Sequence, residues 1–226
     1  MGSEYRRLAS ARVLSRDEMW SQGVRPALRY TAMGGIKGTA IQALVADVNR
    51  LVQEGRLQLD DLEERLQPED LEILGQKVQA ALWYPFGTYE RLTQLMLQVE
   101  GGGKIEYVVD RGRRAAARLR DSGIYAQLTS DRNKLGDRIG RFMVTLGPAM
   151  YQDTQWNFSF EHPRNLTDFR IETRVPPDFP DMARYAAQGF IEYLSNFDRA
   201  LPVIVSSERP SPSSIVFRGR AARERP

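Results

Sequence analysis

Carboxylate pairs are the residues whose types and spacing best suit acid–base chemistry or the binding of a divalent cation. The pairs are Asp60 with Asp61, Glu63 with Glu64, and Asp178 with Asp181. Adjacent residues of a helix point in different directions, and no Asp-x-Asp-x-Asp-Gly calcium loop occurs in the sequence. We therefore interpret these carboxylates as surface and helix-capping residues.

A nucleophile or a general base is equally hard to find. The chain has no cysteine and one histidine, His162, which stands just before a proline at the end of a predicted strand. No Gly-x-Ser-x-Gly elbow occurs. The glycines before Lys104 resemble a phosphate-binding loop only superficially, because Ile105 stands where such a loop has Ser or Thr. We predict no catalytic residues, no metal site and no enzyme activity.

An aromatic corner, "ALWYPFG", is the first candidate binding site. It places Trp83, Tyr84 and Phe86 around Pro85, between two predicted helices. Packing at the turn between those helices is the favoured interpretation, because large aromatic side chains usually fill cores. An aromatic-lined ligand pocket between the helices is the alternative.

A basic helix supplies the second candidate. Arg111, Arg114 and Arg118 follow at i, i+3 and i+7 and share one helical face. A solvated surface is the simplest interpretation. The sharper hypothesis is that this face binds an acidic surface, such as residues 60–72 of a second copy, because arginine pairs with carboxylates through two parallel hydrogen bonds.

The distribution of charge favours such a protein partner or self-association. The chain of 226 residues carries a net charge of only +3. Residues 47–72 contain nine acids and three arginines, whereas residues 104–141 contain ten basic residues and five acids. Binding to nucleic acid is disfavoured, because no recognition module or interleaving of basic and aromatic residues is evident.

Several features of the composition concern location. No stretch approaches the ~18 apolar residues that a membrane span needs. The N-terminus lacks the apolar segment of a secretory signal, and the absence of cysteine is typical of a reducing compartment. We expect a cytoplasmic protein without a membrane span.

The periodicity of apolar residues defines the elements that must position these candidates. Residues 1–34 are interpreted as an appended charged segment, and residues 35–150 have the 3.6-residue period of helices. After Tyr151 the period becomes two, which predicts a ββαββ unit over residues 151–219, followed by a basic tail over 220–226. The fold class is therefore α+β, with a helical array packed on an antiparallel sheet in one compact domain.

Particular helices follow from the pattern. One is predicted over residues 67–83, and its buried stripe consists of Leu71, Leu74, Val78, Ala81 and Leu82. Pro85 ends it, and Thr88 is the predicted N-cap of the next. Further helices are predicted at 105–119, 124–128 and 136–150, and a last one buries Met182, Ala186, Gly189, Phe190, Tyr193, Leu194 and Phe197. We expect Gly189 to mark a close approach of that helix to the sheet.

Several stretches together resemble a paralogous family of uncharacterised myxobacterial proteins. They are "GIKGTAIQALV", "PEDL", "ALWYPFGTYERL", "VVDRGRRAAARL", the predicted strand pair, "ARYAAQGFIEYL" and the closing hairpin, which together span residues 35–219. That family is distantly similar to haem–nitric-oxide-binding and 4-vinyl-reductase-like domains. The resemblance implies a binding or regulatory role in bacterial signalling and no known reaction.

The sequence departs from the haem-binding relatives at the residues that hold haem. Those proteins use a histidine on a helix and a Tyr-x-Ser-x-Arg motif, and this motif is absent here. An axial ligand needs a rigid apolar seat, which the polar surroundings of His162 do not offer. The resemblance therefore predicts a cofactor-free interaction or sensory-type module, with an apolar-ligand-binding domain without haem as the alternative.

Overall fold

A computed structural model describes residues 34–121, 135–162, 165–196 and 202–222. The predicted appended segment and the predicted helix at 124–128 lie outside these residues, apart from Gly34. The helices are α1 (Gly38–Gln53), α2 (Leu59–Arg65), α3 (Pro68–Gly75), α4 (Phe86–Val99), α5 (Glu106–Asp121), α6 (Leu135–Met150) and α7 (Asp181–Ser195). The strands are β1 (Gly35–Lys37), β2 (Trp83–Pro85), β3 (Gln155–His162), β4 (Asn165–Arg174), β5 (Val203–Ser211) and β6 (Ser214–Ala221).

This order confirms the predicted α+β fold, in which a helical region precedes a ββαββ unit. The larger sheet is antiparallel throughout, with strand order β3-β4-β6-β5. Its inner face carries alternate buried residues, among them Trp156, Ile171, Val205 and Phe217. These residues and the apolar faces of the helices form one continuous core. Burial of alternate residues is what a sheet with one covered face requires.

The predicted helix over residues 67–83 is wrong in its second half. α3 ends at Gly75, and the following loop turns back over the start of α1. The carbonyls of Ala80 and Leu82 accept hydrogen bonds from the first N–H groups of α1, those of Thr39 and Gly38. Those N–H groups have no partner within their own helix, so this tertiary contact stabilises the loop in place of a longer α3.

Other parts of the predicted stripe change with it. Ala81 and Leu82 are exposed instead of buried, and β2 pairs with β1.

The predicted N-cap of the next helix is also wrong. α4 begins at Phe86 with Pro85 as its N-cap, three residues before the predicted N-cap, so Thr88 lies inside the helix and is buried. Proline suits the start of a helix because its missing N–H costs no helical hydrogen bond there.

α6 lies across β3 through close contacts between glycines and aromatic rings. A Cβ atom at Gly147 would lie 2.4 Å from the indole of Trp156, and one at Gly140 would lie 2.3 Å from the ring of Phe158. Both distances are shorter than any real contact. The predicted helix at 136–150 is therefore present, with glycine as well as apolar side chains on its sheet-facing side.

α7 is covered on two sides, which explains why its buried stripe differs from the predicted one. Ala183, Ala187 and Ile191 are buried although they lie outside that stripe, and they belong to the core shared with the sheet. Gly189 approaches α5, where its Cβ atom would lie 1.9 Å from the carbonyl oxygen of Val109. The predicted close approach exists, but its partner is a helix and not the sheet.

No helix among the described residues combines the length and the apolar character needed to cross a bilayer.

Candidate functional site

The aromatic corner is largely a packing element. Phe86 is almost fully buried, and Tyr84 is buried with its hydroxyl accepting a hydrogen bond from the backbone N–H of Gln79 at 2.8 Å. Trp83 is half-buried, and the ammonium of Lys37 lies 4.3 Å from the centre of its ring. Of the three predicted aromatic site residues, Trp83 alone is partly accessible.

Phe86 begins a line of aromatic contacts, here called the aromatic column, that crosses from the helical region into the sheet. The ring centroids are 5.2 Å apart for Phe86 and Phe179, and 5.3 Å apart for Phe179 and Tyr151. Tyr151 then stacks on Trp156 at 6.1 Å, and Trp156 stacks on Phe217 at 5.7 Å. Edge-to-face and stacked pairs of this kind add to the stabilisation from burial.

The aromatic column contacts both neutral and charged polar groups, and Arg209 donates to the carbonyl of Phe179 at 2.7 Å. The indole N–H of Trp156 donates to the hydroxyl of Thr154 at 3.0 Å. Burial raises the pKa of both Tyr89 and Tyr151 above the ordinary value for tyrosine. These phenols therefore stay protonated at neutral pH and can donate hydrogen bonds, but they cannot act as general bases.

Two buried hydroxyls of α4, those of Thr88 and Thr93, have no hydrogen-bond partner among the described residues, and Thr88 is the one next to the aromatic corner in the chain. Thr88 is fully buried. Buried polar atoms in native proteins almost always have a partner, either in the protein or in an ordered small molecule. Thr88 is therefore the position near the aromatic corner where a small bound molecule would have most to contribute.

The predicted arginine face divides into an internal and an external part. Arg111 is largely buried and donates to Asp47 of α1 at 2.7 Å and to the hydroxyl of Tyr107 at 3.3 Å. Burial opposes its charge, but these hydrogen bonds outweigh burial and raise the pKa of Arg111. Arg114 and Arg118 are exposed. Of the three predicted arginines, Arg114 and Arg118 are thus the ones available to a partner.

The spacing of residues in the sequence did not predict a charged cluster that lies beside Arg111. Glu100 accepts hydrogen bonds from Arg50 at 2.8 Å and from the hydroxyl of Tyr107 at 2.8 Å, and Arg56 lies 3.5 Å away. Burial alone would raise the pKa of Glu100, but these partners outweigh burial and lower it. Arg50 in α1 and Arg56 just after it are more than forty positions away from Glu100 along the chain, so no local spacing could have revealed the cluster.

The carboxylates that could have suited acid–base chemistry or cation binding instead contact backbone N–H groups and arginines. Asp61 accepts the N–H of Gln58 at the start of α2, and Asp181 pairs with Arg184 and Arg209. Among the described residues no group of three His, Cys, Asp or Glu side chains could hold a metal ion.

The residues do not fit a haem group of the kind that the resemblance implied. His162 is the only histidine of the chain and ends β3, where it pairs with Asn165 in a hairpin. It does not lie on a helix. Cysteine, the other strong axial ligand, is absent. The chain therefore offers neither the helical histidine nor the Tyr-x-Ser-x-Arg motif of the haem-binding relatives.

Comparison with known proteins identifies the type of fold. Neither a protein-family model nor a curated protein sequence matches this chain. Solved haem–nitric-oxide-binding (H-NOX) proteins do match in structure. An alanine-to-glycine mutant of the Fe(II) unliganded H-NOX protein from K. algicida has a TM-score of 0.58 and 12% identity, over 83% of this chain and 97% of that one. A mutant H-NOX from T. tengcongensis has a TM-score of 0.51 and 13% identity, over 83% and 98%.

The chain therefore has an α+β fold of the H-NOX type. The likeness extends over nearly the whole length of those domains, and at this level of identity it shows the fold alone. The predicted distant similarity to haem–nitric-oxide-binding domains is confirmed. The narrower resemblance to the myxobacterial paralogues stays a prediction.

Proposed function

We propose that this protein is a non-enzymatic regulatory module of the sensory type that works without haem in the bacterial cytoplasm. One observation carries the proposal. The chain shares the H-NOX-type fold over 97% of the length of a solved H-NOX protein, yet its only histidine lies in the β3–β4 hairpin. A fold that is kept while the haem ligand is lost favours a role in transmitting a signal by protein contacts.

A haem-reconstitution experiment tests this proposal directly. The protein is produced in cells supplied with a haem precursor, purified, and then mixed with haem while the absorbance spectrum is recorded. We expect no stoichiometric Soret band, and replacement of His162 by alanine should leave the spectrum unchanged. A one-to-one Soret band that disappears in the His162→Ala variant would refute the haem-free proposal.

The exposed arginines of α5 support a protein partner with an acidic surface. Arg114 and Arg118 lie outside the ion pair that Arg111 makes with α1, so both guanidinium groups can form two-pronged hydrogen bonds with carboxylates. Charge complementarity of this kind mainly sets the association rate and the choice of partner.

A charge-reversal experiment tests this surface. Partners are captured from native cell extract with the native chain and with an Arg114→Glu/Arg118→Glu variant. Loss of the same captured protein is expected, and added salt should weaken its binding to the native chain. The matched control reverses Arg65 and Lys77, which are also exposed. Equal capture by all three chains would exclude the α5 face.

A small-ligand-binding role is the second candidate, favoured by the unpartnered hydroxyl of Thr88 beside the aromatic corner. The fold neighbours include H-NOX proteins described by their Fe(II) and haem chemistry. Native mass spectrometry of gently purified protein distinguishes the candidates. A co-purifying small molecule that is lost in a Thr88→Val variant supports ligand binding, and a bare polypeptide mass counts against it.

A further inference from the structure

The outer edge of β5 is occupied by side chains of α7. β5 is the last strand of the sheet, so one row of its backbone groups faces away from β6. Asn196 accepts the N–H of Val203 at 2.6 Å and donates to the carbonyl of the same residue at 2.8 Å. Glu192 accepts the N–H of Val205 at 3.1 Å. These are the backbone groups that a further strand would bind.

The same arrangement continues along the edge. Arg184 donates to the carbonyl of Ser207 at 3.1 Å and to its hydroxyl at 3.0 Å, and that hydroxyl donates to Gln188 at 2.7 Å. The residues involved are 184, 188 and 192 of α7 and its C-cap residue 196, each one helical turn after the last. A single polar stripe of α7, here called the edge guard, therefore takes the place of a fifth strand.

The edge guard is connected to α5. Arg113 donates to Glu192 at 2.6 Å and also pairs with Glu106 and Asp110 of its own helix. A Cβ atom at Gly112 would lie 1.9 Å from the carbonyl oxygen of Ala186, so the two helices touch backbone to backbone. A displacement of α5 would consequently shift Glu192 relative to β5.

The part of β5 beneath the edge guard has the composition of an edge that is prone to pair with another strand. Residues 203–207 read Val-Ile-Val-Ser-Ser, without a charge or a proline. Ile204 points to the outer face of the sheet with 62% of its surface exposed. Natural sheets normally protect a free edge with charges, proline or a bulge. In β5 these features lie only in the second half, at Glu208, Arg209, Pro210 and a bulge between Glu208 and Ser211, whereas residues 203–207 are covered by α7 instead.

The strand is also complementary to itself. In an antiparallel pair centred on Val205, Val203 of one copy would lie opposite Ser207 of the other, and Ile204 would lie opposite Ser206. The residues with outward backbone groups then face one another, and no like charges meet. A two-fold contact of this type is closed, and it extends the sheet from one copy into the other.

We propose that the edge of β5 is a latent surface for pairing with β5 of a second copy, and that the edge guard of α7 covers it. Release of the guard frees the outward backbone groups of β5 beside Ile204, which is already exposed. An antiparallel strand from the second copy would bind those groups and cover Ile204. This surface goes beyond the proposed function, because it requires neither an acidic partner of α5 nor a ligand.

A Glu192→Ala/Asn196→Ala variant tests the proposal by removing the guard at Val203 and Val205. Light scattering and far-ultraviolet circular dichroism are measured over a range of concentrations. We expect a folded variant with twice the mass of the native chain. Adding Ile204→Lys should restore the native mass, because a charged edge residue opposes strand pairing. A folded variant with the native mass, or a dimer that tolerates Ile204→Lys, would overturn the proposal.

Disulfide trapping fixes the register and remains informative if the double variant does not fold. Because the chain has no cysteine, Ile204→Cys and Ser206→Cys can each be introduced as the only thiol. In the proposed pair these residues are directly opposite, so mixing the two proteins should give a cross-linked dimer in the guard-free background, and more slowly in the native one. Two results would contradict strand pairing. The first is equal cross-linking of each single-cysteine protein alone and of the mixture. The second applies if the guard-free protein does not fold, and it is the absence of cross-linking in the mixture of the two proteins that keep the guard.

Discussion

Replacing Gly189 by alanine should destabilise the protein, although alanine favours helices. In an exposed helix interior the same change stabilises by about 1 kcal/mol, because alanine loses less backbone freedom on folding. At this position the new Cβ atom would lie 1.9 Å from the carbonyl oxygen of Val109 and 2.7 Å from the carbonyl carbon. Real contacts of that type exceed 3 Å, so α5 and α7 would have to separate by about 1 Å.

The expected size of the loss follows from that separation. Overpacking of a well-packed contact typically costs ~1–3 kcal/mol, and here rigid backbone atoms must move together with Gly112 on the opposite helix. Because the clash is with backbone atoms, the upper part of that range, ~2–3 kcal/mol, applies. After subtraction of about 1 kcal/mol for the gain in helix propensity, the free energy of unfolding should fall by about 1–2 kcal/mol. For a chain of this size, that corresponds to a fall in Tm of roughly 2–8 °C.

Urea denaturation followed by circular dichroism gives the measurement, and Gly87→Ala provides the matched control. Gly87 also lies in a helix, but it is exposed, and its Cβ atom would meet only the end of the Arg91 side chain. The control should be neutral or slightly stabilised. If Gly189→Ala and Gly87→Ala changed the stability by the same amount, the backbone contact between α5 and α7 would not have the energetic role inferred here.

Further predictions concern charged groups. Asp70 is fully buried and paired with Arg91, which is partly exposed and also contacts Glu69, so Asp70→Asn should lower the free energy of unfolding in urea by ~1–3 kcal/mol. Burial raises the pKa of Glu90 above its ordinary 4.5, so its ionisation opposes folding. The native chain should lose stability relative to Glu90→Gln as the pH of the urea titrations rises from about 4.5 through the folded-state pKa. Arg111→Ala should cost about 1–3 kcal/mol by the same assay, whereas the exposed Arg118→Ala should stay within ~0.5 kcal/mol.

Each of these expectations has a contrary outcome. A loss below ~1 kcal/mol in Asp70→Asn would mean that the buried pair is replaceable by a neutral contact. Parallel pH profiles for the native chain and Glu90→Gln would show that burial does not govern the ionisation of Glu90. Equal stabilities of the Arg111 and Arg118 variants would contradict the separation of the arginine face into an internal and an external part.

The strands and most helices were predictable because each carries its own period. Trp156 and Phe158 alternate with polar residues, and Ile41, Leu44 and Val48 recur at helical spacing, so one face of each element had to be buried. The loop at 76–82 was not predictable from its own residues. It has an acceptable helical pattern, but its carbonyls are needed to satisfy the first N–H groups of α1, which lie about forty positions earlier.

The candidate site was less predictable than the fold. The sequence pointed to Arg111, Arg114 and Arg118 as one surface, and helical geometry does place them on one side. Only the packing of α5 beside Asp47 decided that Arg111 turns inward. Likewise, Gly189 signalled a close approach, but nothing in its own helix indicated whether α5 or the sheet would be the neighbour.

By itself, the sequence determined the order of the main elements, the side of each strand that is buried, and the scarcity of histidine and cysteine. These properties depend on residue type and on spacing within one element. The tertiary structure decided which elements meet. The aromatic column, the cluster around Glu100 and the edge guard on β5 all join residues from separate elements. Contacts of that kind depend on how whole faces pack together, and this information is spread over the chain and absent from any single segment.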